Sequence, residues 1–118
     1  RMFLSWHPEV SALLYVCAYD MRVPDSRWTS VAELLASINE KMLIGHFDLW
    51  SGDSLPVFRQ SILLRGMPGA SVEQLEDLVH IAHAECERYY PAFQFVIWGG
   101  KEPAEAISAA MLETMGEA

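Results

Sequence analysis

Apolar positions along this chain change their spacing several times, and each change marks an element. From Met2 to Trp6, and again from Val10 to Tyr19 (VSALLYVCAY), β-forming residues crowd together with apolar side chains on both alternating faces. This predicts two strands joined across His7, Pro8 and Glu9, each needing cover on both sides. Pro24 ends the strand region and Asp25 is suited to cap a helix, after which Trp28, Val31, Ala32, Leu35, Ile38 and Met42 recur at helical spacing to about Leu43. Gly45 stops that helix, because a chain leaving a helix favours a positive φ that glycine adopts without steric cost.

His46–Trp50 and Leu55–Leu64 then read as the strands of a hairpin around SGDS. With Gly52 and Asp53 as a two-residue type II′ turn, Phe47 falls opposite Phe58 and His46 opposite Arg59. One face carries Phe47, Leu49, Phe58, Ile62 and Leu64. The other carries His46, Asp48, Trp50, Val57, Arg59 and Ser61, with Asp48 diagonal to Arg59 and within its reach. Ser71 is placed to cap a second amphipathic helix, Val72 to about Tyr90, with Val72, Leu75, Leu78, Val79, Ala82, Cys86 and Tyr89 as its inner stripe. Pro91 interrupts it. YYPAFQFVIW satisfies either a kinked helical continuation or a strand, and the helix is expected. Gly99 and Gly100 break it, Pro103 opens a last helix with Ile107, Ala110, Met111 and Met115 on one side, and Gly116 ends that helix. The order β-β-α-β-β-α-α predicts an α+β fold, an antiparallel sheet with helices packed on it.

At 118 residues the chain has one domain's length, so residues 1–118 are expected to form a single unit. Half of the residues are hydrophobic and a fifth charged, which excludes a disordered chain, and no apolar run approaches the roughly 20 residues that span a bilayer. A net charge of −8 repels a phosphate backbone, so neither nucleic acid nor a membrane is an expected partner. Cys17 and Cys86 are the only cysteines, both in apolar segments, and are expected to be free and in the core; with no signal peptide visible, the cytoplasm is the expected location. The chain enters at Arg1 already in a strand-like pattern, so its N-terminus is expected to be incomplete.

Candidate chemistry is sparse. Asn39 lies on the apolar side of its helix, where it either faces a ligand or bonds nearby backbone, and the second is expected. Glu76, His80, His83 and Glu87 fall within about 60° of one another around the second long helix, a spacing that could hold a divalent cation. The same stripe lies opposite Leu75, Leu78 and Ala82, which makes it a solvated helix face, so no metal is expected. His46, Asp48, Trp50 and Arg59 form a possible anion-binding or acid–base cluster whose plainer reading is a cross-strand ion pair beside a histidine. Serines lack a nucleophile-elbow pattern and WGGK lacks the spacing of a phosphate-binding loop. No catalytic residue and no cofactor is expected.

The MRVP loop, Asn39 with Gly45–Trp50 (N-x5-GHFDLW), Phe58-Arg59, YYPAFQFVIWGG and the P-x-E-A element at 103–106 together resemble the YbjN family, putative bacterial sensory transduction regulators. The resemblance implies a fold like that of the type III secretion chaperones, with an N-terminal helix and strand of that fold missing or unseen here, and an interaction or regulatory domain with no catalytic residues to carry over. The leading expectation is therefore a non-catalytic, chaperone-like regulatory domain working by protein contact in signal transduction or stress regulation, as a homodimer; any other protein partner is unnamed. Its dimer surface is expected on the sheet face the helices leave bare, unless the segment from Phe93 to Met115 folds back over it. The competing expectation is a small-molecule (anion) binding protein or weak enzyme using His46, Asp48 and Arg59 in a pocket roofed by Trp50. A third is metal storage or sensing at His80 and His83.

Overall fold

Strand alternation becomes a sheet in the protein's computed structural model, which describes residues 1–116, with side chains through Leu112. Strands β1 (Met2–His7), β2 (Ala12–Ala18), β3 (His46–Trp50) and β4 (Leu55–Leu63) form one antiparallel sheet in the order β1-β2-β4-β3. Helix α1 (Trp28–Lys41) enters through a short 3₁₀ turn, Asp25–Arg27, and is followed after the hairpin by α2 (Val72–Ile97) and α3 (Pro103–Gly116). The order is the β-β-α-β-β-α-α read from the sequence, and the fold is α+β.

The hairpin register is the one expected, with Phe47 opposite Phe58 and His46 opposite Arg59. A register slip would carry Phe47 and Phe58, both essentially fully buried, to the other face, and burying a large apolar side chain is worth about 1.5–3 kcal/mol. Helices α1 and α2 lie on this face. Tyr15, Phe47 and Phe58 of the sheet meet Val31, Leu34 and Ile38 of α1 and Leu78, Ala82, Tyr89 and Phe93 of α2 in the main core. On the opposite face a smaller cluster gathers Val16, Ala18 and Val57 under Leu14, Trp50 and Leu55, with the Phe3 ring 5.7 Å from that of Trp50.

Several details depart from expectation, each for a local reason. The hairpin turn is a four-residue loop, Ser51 to Ser54, and not a Gly52-Asp53 type II′ turn. Pairing stops at Trp50–Leu55 because the Ser54 carbonyl accepts from Val23 N–H at 2.8 Å, which holds Ser54 out of the ladder at φ 56°. Val10 belongs to the first turn, and β2 starts at Ala12. Asp25 makes no cap; it sits inside the 3₁₀ turn, and α1 begins behind Arg27 without a side-chain cap. Arg27 instead serves another helix, its Nε donating to Val96 O at 2.9 Å at the end of α2 and Nη2 to Lys101 O at 3.3 Å in the loop that follows.

Helix α2 opens with the expected Ser71 cap, completed as a capping box with Gln74, and runs through Pro91 to Ile97. In its first turns Val72, Leu75 and Val79 are exposed and Leu78 and Ala82 buried, and burial becomes denser from Tyr89 through Ala92, Phe93, Val96 and Ile97. The C-terminal segment does not cover the bare sheet face: α3 packs on α1 and α2, and Phe93, Phe95 and Ile107 join the core on the helix side. The Met115 side chain lies outside the described residues.

Candidate functional site

The end of α1 and the start of β3 are fastened by one amide. Asn39 Oδ1 accepts from Phe47 N–H at 2.8 Å and Nδ2 donates to Phe47 C=O at 3.0 Å. These two backbone groups point to the outer edge of β3, so the side-chain amide stands where a fifth strand would pair. Gly45 lets the chain make the approach: its φ is 73°, and a Cβ there would run into the Phe58 ring. Of the two roles open to Asn39 in the sequence, the structure shows the backbone one.

On the bare face, Arg59 Nη1 lies 3.3 Å from Asp48 Oδ2, and Asp48 Oδ1 accepts from Leu49 N–H at 2.8 Å. His46 is exposed opposite Arg59, and these two line a groove of about 370 Å³ with Leu43, Ile44, Gly45, Gln60 and Ser61. Asp48 and Trp50 are not part of its wall. Trp50 packs toward Phe3 and Val57 and does not roof a pocket over Arg59.

The four members of the α2 stripe, Glu76, His80, His83 and Glu87, are all exposed. His83 Nε2 pairs with Glu87 Oε1 at 3.2 Å, one turn apart, and among the described residues no three His, Cys, Asp or Glu are grouped closely enough to hold a metal ion.

The sequence did not pair Cys17 with Cys86, yet both lie against the main core, where each thiol shifts the other's pKa. Both are free and half-buried at the margin of the main core, more open than expected. Tyr19, two residues beyond Cys17, fixes the contact by donating its hydroxyl to Cys86 C=O at 2.6 Å, while its ring lies 5.1 Å from Phe93 and 6.0 Å from Phe47. Cys86 opens onto the largest cavity described, about 440 Å³, walled also by Tyr19, His83, Glu87, Tyr90, Pro91 and Gln94. Their interaction splits the two thiols. Cys17 is held below the ordinary thiol range, first by Cys86 and further by the charges of the Arg1 ammonium and of His83, against the upward push of burial, whereas Cys86 is pushed up by Cys17 and by burial. Burial likewise pushes the Tyr19 hydroxyl up. Each cysteine lay on an apolar stripe of its own element; only the tertiary alignment of strand and helix brings them together.

At the other side of the sheet, β1 has a hydrogen-bonded neighbour, β2, on one side only. The helix layer stops short of it, so Met2, Leu4 and Trp6 on the helix side are 65%, 55% and 52% exposed, and Phe3 on the bare side is 42% exposed. Met2–Trp6 contains no charged residue and no proline, the usual guards of an exposed edge.

An antiparallel sheet layered with helices on one face, with an uncovered apolar edge at β1, defines a small α+β domain. The family model that matches is YbjN, "Putative bacterial sensory transduction regulator", over residues 1–95, from β1 to the last turn of α2; α3 lies beyond the match. The chain belongs to the YbjN family, one of regulators rather than a known family of enzymes. No curated protein and no solved structure matches the chain. No helix among the described residues is long and apolar enough to cross a membrane.

Proposed function

We propose that this chain is a non-catalytic regulatory domain that acts by protein contact in the bacterial cytoplasm, in the manner of a secretion chaperone, and that its working form is a twofold dimer built by β1 pairing with β1 of a second copy. The observation that carries this is the open, unguarded β1 edge with apolar side chains on both faces. A twofold axis perpendicular to the sheet makes the two strands antiparallel, the pairing an open edge accepts most readily. With Leu4 on the axis, Met2 stands opposite Trp6 of the partner subunit on the helix side. The exposed side chains of both copies then meet between the two helix layers, in an interface that needs about 800 Å² from each partner. A charge of −8 on each copy opposes this, so pairing tightens as salt rises. Sedimentation across a dilution series at two salt concentrations tests the reading. A dimer that dissociates on dilution and strengthens with salt supports it, and a monomer throughout overturns it.

A second reading, an anion-binding domain, is favoured by one observation: exposed His46 and half-buried Arg59 share a groove. The adjacent Asp48 carboxylate already neutralises Arg59, which weakens that reading. Calorimetric titration with inorganic phosphate decides it; heat that vanishes in Arg59→Ala would favour anion binding over the contact role.

A further inference from the structure

We propose that the cavity between Tyr19 and α2 binds a small organic cation, a protonated primary amine on a short alkyl chain. His83, Glu87, Tyr90 and Gln94 of its wall follow one another at i, i+4, i+7 and i+11, the spacing that sets side chains on one side of a helix. Tyr19 comes to the same cavity from the end of β2. Its ring lies 5.4 Å from that of Tyr90 at an angle of 51°, so the two make an aromatic corner. The Tyr19 ring is fixed there without a ligand, by its hydroxyl bond to Cys86 C=O and by the neighbouring Phe47 and Phe93 rings.

The rest of the wall selects the charge and the hydrogen-bonding of the ligand. No lysine or arginine belongs to it, and Glu87 is its only carboxylate, on a chain of net charge −8. Glu87 meets His83 through Oε1, at 3.2 Å, which leaves Oε2 for a ligand. Pro91 has no N–H, so the carbonyl of Glu87, four residues earlier in α2, lacks the donor that a carbonyl inside a helix ordinarily has. Both residues belong to the wall, so an acceptor without its helical partner accompanies a carboxylate and two rings. An ammonium group answers all of these: it is positive, has N–H donors to give to carboxylate and carbonyl, and is attracted to the face of a tyrosine ring within about 6 Å. An anion would meet the Glu87 carboxylate with no lysine or arginine to offset it. The volume of about 440 Å³ accommodates an alkyl chain beside Pro91 and the rings. No wall residue lies in β1, so the site is independent of the proposed dimer.

The test titrates the isotope-labelled full chain with n-butylammonium chloride and follows NMR shifts at about pH 8, where an ordinary alkylamine is protonated and an ordinary imidazole neutral. Saturable binding is expected, with a Kd of about 5 mM, inside the ceiling for a ligand of so few atoms, and with shifts gathered on Tyr19, Glu87, Tyr90 and Gln94. Uncharged n-butanol is expected to bind at least about tenfold more weakly, and tetramethylammonium, which has charge but no N–H, about fivefold more weakly. Tyr90→Leu should weaken n-butylammonium about fivefold, and Glu87→Gln about threefold because that side chain is 72% exposed. Equal binding of n-butanol or of tetramethylammonium, unsaturable shifts scattered over the acidic surface, or no shift up to about 100 mM would each overturn the proposal, and all of these use the wild-type chain, whatever the variants do to folding.

Discussion

At the β3 edge the Phe47 peptide group meets the Asn39 amide at 2.8 and 3.0 Å, whereas at the β1 edge the strand from Met2 to His7 has no neighbour beyond β2. Both are outer strands of one sheet, and both are short. What separates them is the helix layer. The end of α1 comes down beside β3, so a single residue of its last turn can reach across and occupy the outward hydrogen bonds of Phe47, while the Asp48 carboxylate takes the N–H of Leu49. No helix reaches β1, and the same layer that shelters Phe47 leaves Leu4 and Trp6 half exposed. An edge needs neither a bulge nor a charge to be closed when a packed helix supplies an amide at the right height.

The contrast is most easily broken from the open side. Leu4→Lys places two ammonium groups near the proposed axis and is expected to weaken dimerisation by about 100-fold while changing monomer stability by no more than about 0.5 kcal/mol; sedimentation and urea denaturation read the two separately. Next comes Gly45→Ala, which meets the Phe58 ring and a disfavoured φ, and should lower stability by about 3 kcal/mol without affecting the β1 edge. Asn39→Ala leaves the Phe47 N–H and C=O without their partner, an expected loss of about 2 kcal/mol in the denaturation midpoint analysis. An unchanged midpoint would mean that water replaces the amide at no cost, and the closed edge would lose its explanation. Smallest is the Asp48–Arg59 pair, whose side chains are 45% and 36% exposed; a double-mutant cycle should give about 0.3 kcal/mol.

How much of this was legible in the chain varied with the range of the interaction. The hairpin register could be read because Phe47 and Phe58 must share a buried face, a rule local to two adjacent strands. The turn could not, since Ser54 is drawn out of the ladder by Val23, a residue 31 positions earlier in the chain. Helical periodicity named Leu78, Ala82 and Tyr89 correctly but also Val72, Leu75 and Val79, because a period says which side of a helix is apolar and not how far the sheet beneath it extends. Asp25 looked like a cap from its type alone, while Arg27, whose guanidinium ends α2, carried no signal, its partners being 69 and 74 residues away. The thiol pair was hidden for the same reason: two apolar stripes say nothing about which members meet.

The Asn39 amide also sets a valence. A sheet with two receptive edges is a bifunctional monomer, and each addition leaves a fresh end, so growth has no natural stopping point. With the β3 edge occupied from within, the proposed β1 pairing consumes the one remaining reactive end on each chain, and the product of the first association has none left. One side-chain amide would thus act as a chain terminator, and its removal would turn a dimer into the repeat unit of a polymer.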